Sequence, residues 1–192
     1  MFVKDWRKEI FTIPNLLSLF RLILIPVYVS IYLNARDSTD YYLAAGILAV
    51  SCLTDLIDGK IARHFDMITS LGKLLDPVAD KATQFTLIMC LTVKYRILWC
   101  LVALFVLKEG FQLIAGGIRL RKKVMLKGAL LSGKICTTIL FLSLIVMVML
   151  PQLKYSTVKI IVIVDSLFML AAFFDYVIAY FFMDNKFQSL DD

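Results

Sequence analysis

The chain has 192 residues, is 60% hydrophobic, and carries a mean hydropathy of +0.83 and a formal net charge of +6. That apolar share lies well above the roughly 45–50% of an ordinary globular domain, so the composition excludes a soluble enzyme and reads as a polytopic membrane protein. The positive charge has no soluble basic domain to carry it, which argues against nucleic acid and for an anionic lipid surface as its partner.

In chain order, Met1 to Glu9 holds charges of both signs around Trp6, a pattern suited to a short interfacial helix rather than a cleavable signal. Six apolar stretches of about 20 residues follow, each the length of a transmembrane helix. They run roughly from Pro14 to Asn34, Tyr41 to Arg63, Ser70 to Val93, Ile97 to Ile118, Gly128 to Leu150 and Ser156 to Met183. Pro14 suits a first helical turn and Pro151 stops the fifth span. The expected fold is therefore an all-α polytopic membrane protein, six transmembrane helices behind a short N-terminal interfacial helix. Nothing in the way of a linker or charge run divides it, so residues 1–192 read as a single domain. Cys52, Cys90, Cys100 and Cys136 all fall in apolar stretches without metal or redox spacing, and read as buried, inert thiols. His64 alone cannot build a histidine site.

Basic residues set the expected sidedness. One set of ends carries Lys4, Arg7, Lys8, Lys60, Arg63, Lys73, Arg119, Arg121, Lys122, Lys123, Lys127, Lys134 and Lys186. The other carries Arg36, Lys94, Arg96, Lys154 and Lys159. Thirteen against five puts both termini in the cytoplasm.

Against this background stand four carboxylates, Asp55, Asp58, Asp76 and Asp80, at the cytoplasmic ends of spans two and three. An ionised carboxylate near the bilayer core costs roughly 2.5–3.5 kcal/mol, so four unpaired ones would cost on the order of 10 kcal/mol. Residues three or four apart share a helix face, so each Asp pair points one way, and a short link from His64 to Thr69 would make the two helices antiparallel neighbours. An oxygen-only ligand set suits a hard cation such as Mg²⁺ or Mn²⁺, which in turn neutralises phosphates. Gly59, Ala62 and Gly72 leave room for a ligand, and Arg63 and Lys73 are placed to hold phosphate oxygens. The plainer alternative is that Lys60, Arg63, Lys73 and Lys81 simply pair with the four aspartates.

The run Asp55-x2-Asp58-Gly59-x2-Ala62-Arg63-x8-Gly72-x3-Asp76-x3-Asp80 resembles, position for position, the signature of the CDP-alcohol phosphatidyltransferases. The stretches Ile13-Pro14-Asn15-Leu16-Leu17-Ser18-Leu19-Phe20-Arg21 and Leu75 to Lys81 are similar to the branch of phosphatidylglycerophosphate and cardiolipin synthases of bacteria. The resemblance implies attack of an acceptor alcohol on the β-phosphorus of CDP-diacylglycerol, with CMP leaving. It further implies Asp55, Asp58 and Asp76 as ligands of two divalent ions, Mg²⁺ or Mn²⁺. Asp80 would be the base, also near the second metal, Gly59 and Gly72 would border the cytidine, and Arg63 the diphosphate. It places the protein in the bacterial cytoplasmic membrane, with its active site facing the cytoplasm, and suggests a homodimer.

The acceptor stays open at this point. Arg119 and Lys134, at the cytoplasmic ends of spans four and five, are candidates for an acceptor phosphate, as glycerol 3-phosphate would need. Synthases of the branch typically carry Arg-Glu in span four and a further Arg seven residues on; here stand Lys108-Glu109 and Gly116. Lys is a weaker substitute for a bidentate Arg, and Gly116-Gly117 would leave room for the headgroup of phosphatidylglycerol, the acceptor of cardiolipin synthases. Arg21, Lys108, Glu109, Asp165 and Asp175 are further intramembrane charges and hence functional suspects. Lys108 and Glu109, being adjacent, are expected to find separate partners, Asp175 to line the acceptor pocket, and Asp165 has no evident partner. A cation transporter built on the Asp cluster is the competing class, though the chain shows no paired repeat.

Overall fold

The computed structural model describes residues 12–64, 72–121, 124–126, 130–182 and 187–189; the side chains of residues 13–14, 55–64, 73–74 and of two short strands are left aside. The expected interfacial helix over residues 1–9 and the link from His64 to Thr69 thus lie outside the described part. Among the described residues there are six long helices: α1 (Ile13–Asn34), α2 (Ser38–His64), α3 (Gly72–Lys94), α4 (Trp99–Arg121), α5 (Leu131–Met149) and α6 (Tyr155–Phe182). Each lies within a few residues of the apolar stretch that predicts it. A 3₁₀ turn, Arg96–Leu98, leads into α4. Stretches containing α1, α4, α5 and α6 are long and apolar enough to cross a membrane. Helices α2 and α3 are comparably long, but each carries the charged signature at one end.

Close contacts divide the chain into two compact units. The first holds Met1–Leu91 and Met147–Pro151. Here α1 and α2 pack side by side, joined by a three-residue link. Tyr28 stacks on Tyr32 at 5.6 Å between ring centroids, and Tyr32 meets Tyr41 edge-on at 5.5 Å. Ala44 and Leu48 of α2, and Ala79, Leu87, Ile88 and Leu91 of α3, complete the apolar core. Pro26 removes the helical N–H donor to the Leu22 carbonyl, a loss that membrane helices tolerate. The start of α2 is capped: the backbone N–H groups of Arg36 and Asp37 donate to Asp40 Oδ2, at 2.8 and 3.3 Å. Those two donors hold the Asp40 carboxyl below its ordinary range.

The second unit holds Thr92–Val146 and Gln152–Asp192. Its buried strip on α6 is Val158, Val162, Asp165, Met169, Ala172, Tyr176 and Ala179, in alternating steps of four and three residues. That is the spacing of a left-handed helix–helix seam. Leu101, Val102, Phe105 and Lys108 form the buried strip of α4, which packs against α6. Phe111 meets Phe173 at 5.4 Å and Tyr180 at 6.0 Å, both edge-on. Tyr95 donates from its hydroxyl to the Leu153 carbonyl at 3.3 Å, tying the α3–α4 link to the α5–α6 link.

Two features depart from the sequence expectation. Val124–Leu126 (β1) and Phe187–Ser189 (β2) pair antiparallel, with Val124 opposite Ser189 and Leu126 opposite Phe187. Of the four cysteines, only Cys90 and Cys136 are buried; Cys52 is half-buried and Cys100 exposed. Cys100 precedes the buried pair Leu101 and Val102 and so falls on the opposite side of α4.

Candidate functional site

The signature aspartates fall on two helices of the first unit. Asp55 and Asp58 stand near the C-terminal end of α2, with Gly59, Ala62 and Arg63 following in the same helix; their side chains lie outside the described residues. Gly72 opens α3 and is buried; the side chain of Lys73 is outside the described part. Asp76 and Asp80 stand one turn apart on α3, each partly exposed.

Asp76 is held from a third helix. Ser18 of α1 donates its hydroxyl to Asp76 Oδ1. Arg21, one turn later on α1, brings a guanidinium nitrogen to 3.6 Å from the same oxygen and 3.4 Å from the Ser18 hydroxyl. The Arg21 side chain is only 3% exposed, whereas that of Asp76 is 47% exposed. A guanidinium that deep in an apolar bundle needs counter-charge, and Asp76 is one source of it. Sequence reasoning flagged Arg21 as a suspect charge but missed Ser18. The available signal was its spacing: Ser18 lies three residues before Arg21, on the same face of α1.

Asp80 is approached by Gln84 Nε2 at 3.5 Å, from the next turn of α3. A small pocket then continues away from the carboxylates among α1, α2 and α3. Arg21, Tyr28, Ser51 and Thr83 are among its lining residues, with Ile25 and Leu87 on the apolar side. Ser51 is one turn before Asp55, and Thr83 one turn after Asp80. All three helices of the signature region therefore meet at one place.

The donor chemistry fits a hard divalent cation. The available ligands are carboxylate oxygens, without sulfur or imidazole in the signature. Both described contacts to Asp76 converge on Oδ1, and among the described residues Oδ2 has no protein partner.

The proposed acceptor residues belong to the second unit. Arg119, in the last turn of α4, donates to the Tyr180 carbonyl at 2.5 Å and so caps the end of α6. Lys134 lies in the first turn of α5 and is exposed. Gly133 beside it is buried, and a Cβ there would sit 2.6 Å from the Tyr176 hydroxyl oxygen. At Gly116 the space is bordered by the Tyr180 hydroxyl, 3.3 Å from where a Cβ would lie, while Gly117 faces open space.

Lys108 and Glu109 pair with each other, which their adjacency did not suggest. Lys108 Nζ lies 2.6 Å from Glu109 Oε1, and 3.4 Å from Gln112 Oε1 one turn on. Their Cβ atoms diverge around the helix, but both chains are long enough to curl together in a poorly hydrated place. Asp165 gains the partner the sequence did not reveal: Ser143 of α5 donates to its Oδ1 at 3.0 Å. Asp175 is exposed.

Comparison with known proteins shows what the chain is similar to. Residues 11–178 match the family model described as CDP-alcohol phosphatidyltransferase. The chain is 42% identical over 90 residues to the CDP-diacylglycerol–glycerol-3-phosphate 3-phosphatidyltransferase of Escherichia coli, an alignment covering 46% of this chain and 48% of that protein. It is also 42% identical over 90 residues to the cardiolipin synthase (CMP-forming)/mitochondrial hydrolase fusion protein of Schizosaccharomyces pombe, covering 46% of this chain and 14% of that protein. The match thus spans about half the length of the first relative and a small part of the second. With the family model covering most of the sequence, from the start of α1 to near the end of α6, the chain belongs to the CDP-alcohol phosphatidyltransferase family of membrane proteins.

Proposed function

We propose that the protein transfers a phosphatidyl group from CDP-diacylglycerol to an acceptor alcohol and releases CMP. The observation that carries this reading is the intact signature from Asp55 to Asp80 inside a family match of residues 11–178. In the proposed step the acceptor oxygen forms a bond to the β-phosphorus, the bond from that phosphorus to the CMP oxygen breaks, and the acceptor's proton passes to the Asp80 carboxylate. Asp55, Asp58, Asp76 and Asp80 would hold one or two Mg²⁺ or Mn²⁺ ions. A bound divalent cation supplies neutralisation of the diphosphate oxygens. Gly59, Ala62 and Gly72 admit the cytidine diphosphate closely, and Arg63 and Lys73 bind its phosphates.

Glycerol 3-phosphate is the favoured acceptor, giving phosphatidylglycerophosphate, with Arg119 and Lys134 contacting the acceptor phosphate. The similarity to the E. coli protein supports it. Phosphatidylglycerol is the second reading, favoured by the equal identity to the S. pombe protein and by Lys108 standing where the branch typically has Arg. We further take residues 1–192 as one functional domain with all six helices crossing the cytoplasmic membrane of a bacterium. Both termini and the site would face the cytoplasm, and a homodimer is a natural assembly. A family match that runs through both compact units supports the single domain.

Purified protein given CDP-diacylglycerol, Mn²⁺ and each acceptor in parallel is expected to release CMP with one of them. No CMP release with either would refute the transferase reading, and the productive acceptor decides the product. Asp80→Asn is expected to reduce turnover by at least the 10²-fold that general-base loss typically costs, while leaving Mn²⁺ binding less affected.

A further inference from the structure

The first helix bears no signature residue, yet it reaches the signature site. Ser18 and Arg21 are both buried, both on α1, and both directed at one atom, Oδ1 of Asp76. A carboxylate free to turn about its last bond presents either oxygen to a ligand. One whose Oδ1 is claimed by a hydroxyl and a guanidinium presents Oδ2, the oxygen that has no protein partner among the described residues. Arg21 is in turn braced by the Ser18 hydroxyl at 3.4 Å, so the two side chains act as one clamp.

We propose that Ser18 and Arg21 are positioning residues that orient Asp76 toward the divalent cation, making α1 part of the active site without contributing a ligand. The inference rests on the transferase reading above. Groups that hold a metal ligand in place are typically worth 10–100-fold in metal affinity. The simpler possibility is that the contact is only an ion pair fastening α1 to α3, with no bearing on the metal.

Mn²⁺ binding to the purified protein, followed by the paramagnetic resonance of the free ion, separates the two. Ser18→Ala removes only a hydroxyl and is expected to weaken Mn²⁺ binding by about 10-fold or more. Ser18→Thr, which keeps the hydroxyl, should recover most of the loss. Arg21→Lys should bind more tightly than Arg21→Gln. With CDP-diacylglycerol as substrate, kcat should fall in Ser18→Ala while KM for the lipid stays near the parent value. Ser18→Ala binding Mn²⁺ as tightly as the parent overturns the proposal, whether or not its melting temperature falls; so does a loss that Ser18→Thr does not recover. A parent protein that binds no Mn²⁺ and releases no CMP instead overturns the transferase reading, and that outcome is visible before any variant is made.

Discussion

Asp165 and Asp76 show how differently a single carboxylate can be accommodated in an apolar helix. Asp76 sits near a helix start, half exposed, against a buried guanidinium. Asp165 sits deep within α6, 1% exposed, with a hydroxyl from α5 as its described partner. Both leave Oδ2 without a described hydrogen-bond partner, but that of Asp165 is sealed in the bundle, whereas the Asp76 carboxyl is open to the outside. Hydrogen bonds between membrane helices average about 0.6 kcal/mol and reach about 1.7 kcal/mol. Ser143→Ala is therefore expected to destabilise the protein within that range, read from unfolding in mixed detergent, with turnover retained. At this scale the sequence disclosed which residues were chemically conspicuous, but not which would meet. The four aspartates stand out in the sequence because their spacing is fixed on two helices. Ser18 does not, because its one signal, the three-residue spacing to Arg21, marks a shared helix face and not the partner that face will meet. Lys108 and Glu109 misled because adjacency describes Cβ directions and not the reach of two flexible chains.

At the level of elements, helix positions were legible from the length of apolar runs, since a bilayer demands about 20 residues per crossing. Packing was less so. Where α5 meets α6, the Tyr176 ring lies over Gly133. In Gly133→Ala the new methyl would stand 2.6 Å from the hydroxyl oxygen and 2.8 Å from a ring carbon of a buried tyrosine. Overpacking of that kind costs about 1–3 kcal/mol, against at most about 1 kcal/mol regained from the better helix propensity of alanine. Net destabilisation is expected, visible as a lower melting temperature. Adding Tyr176→Phe should not restore it, since the ring carbon remains in the way. Because Lys134 follows directly, the same variant is expected to raise KM for a phosphate-bearing acceptor if Lys134 contacts it; an unchanged KM would argue against that role. The three-residue strands β1 and β2 escaped notice for a different reason. They are too short for a periodic signal, and each is explained only by the other, far along the chain.

For the whole molecule, the sequence conveyed a membrane protein through its long apolar runs, while the expected side of its chemistry rests on the distribution of basic charge. Orientation is open to direct measurement. In a background lacking the exposed Cys100, Lys154→Cys is expected to react with a membrane-impermeant maleimide in intact cells, and Arg121→Cys only after permeabilisation. The opposite pattern would invert the proposed topology. The β1–β2 ribbon bears on the order in which the molecule is made. Val124 pairs with Ser189, so the segment after α4 waits for its partner until α5 and α6 have both been synthesised. Closing so long a loop is entropically unfavourable until the helices between the strands are in place. The ribbon thus forms only after α6 has been made, and its pairing reports that α6 has arrived.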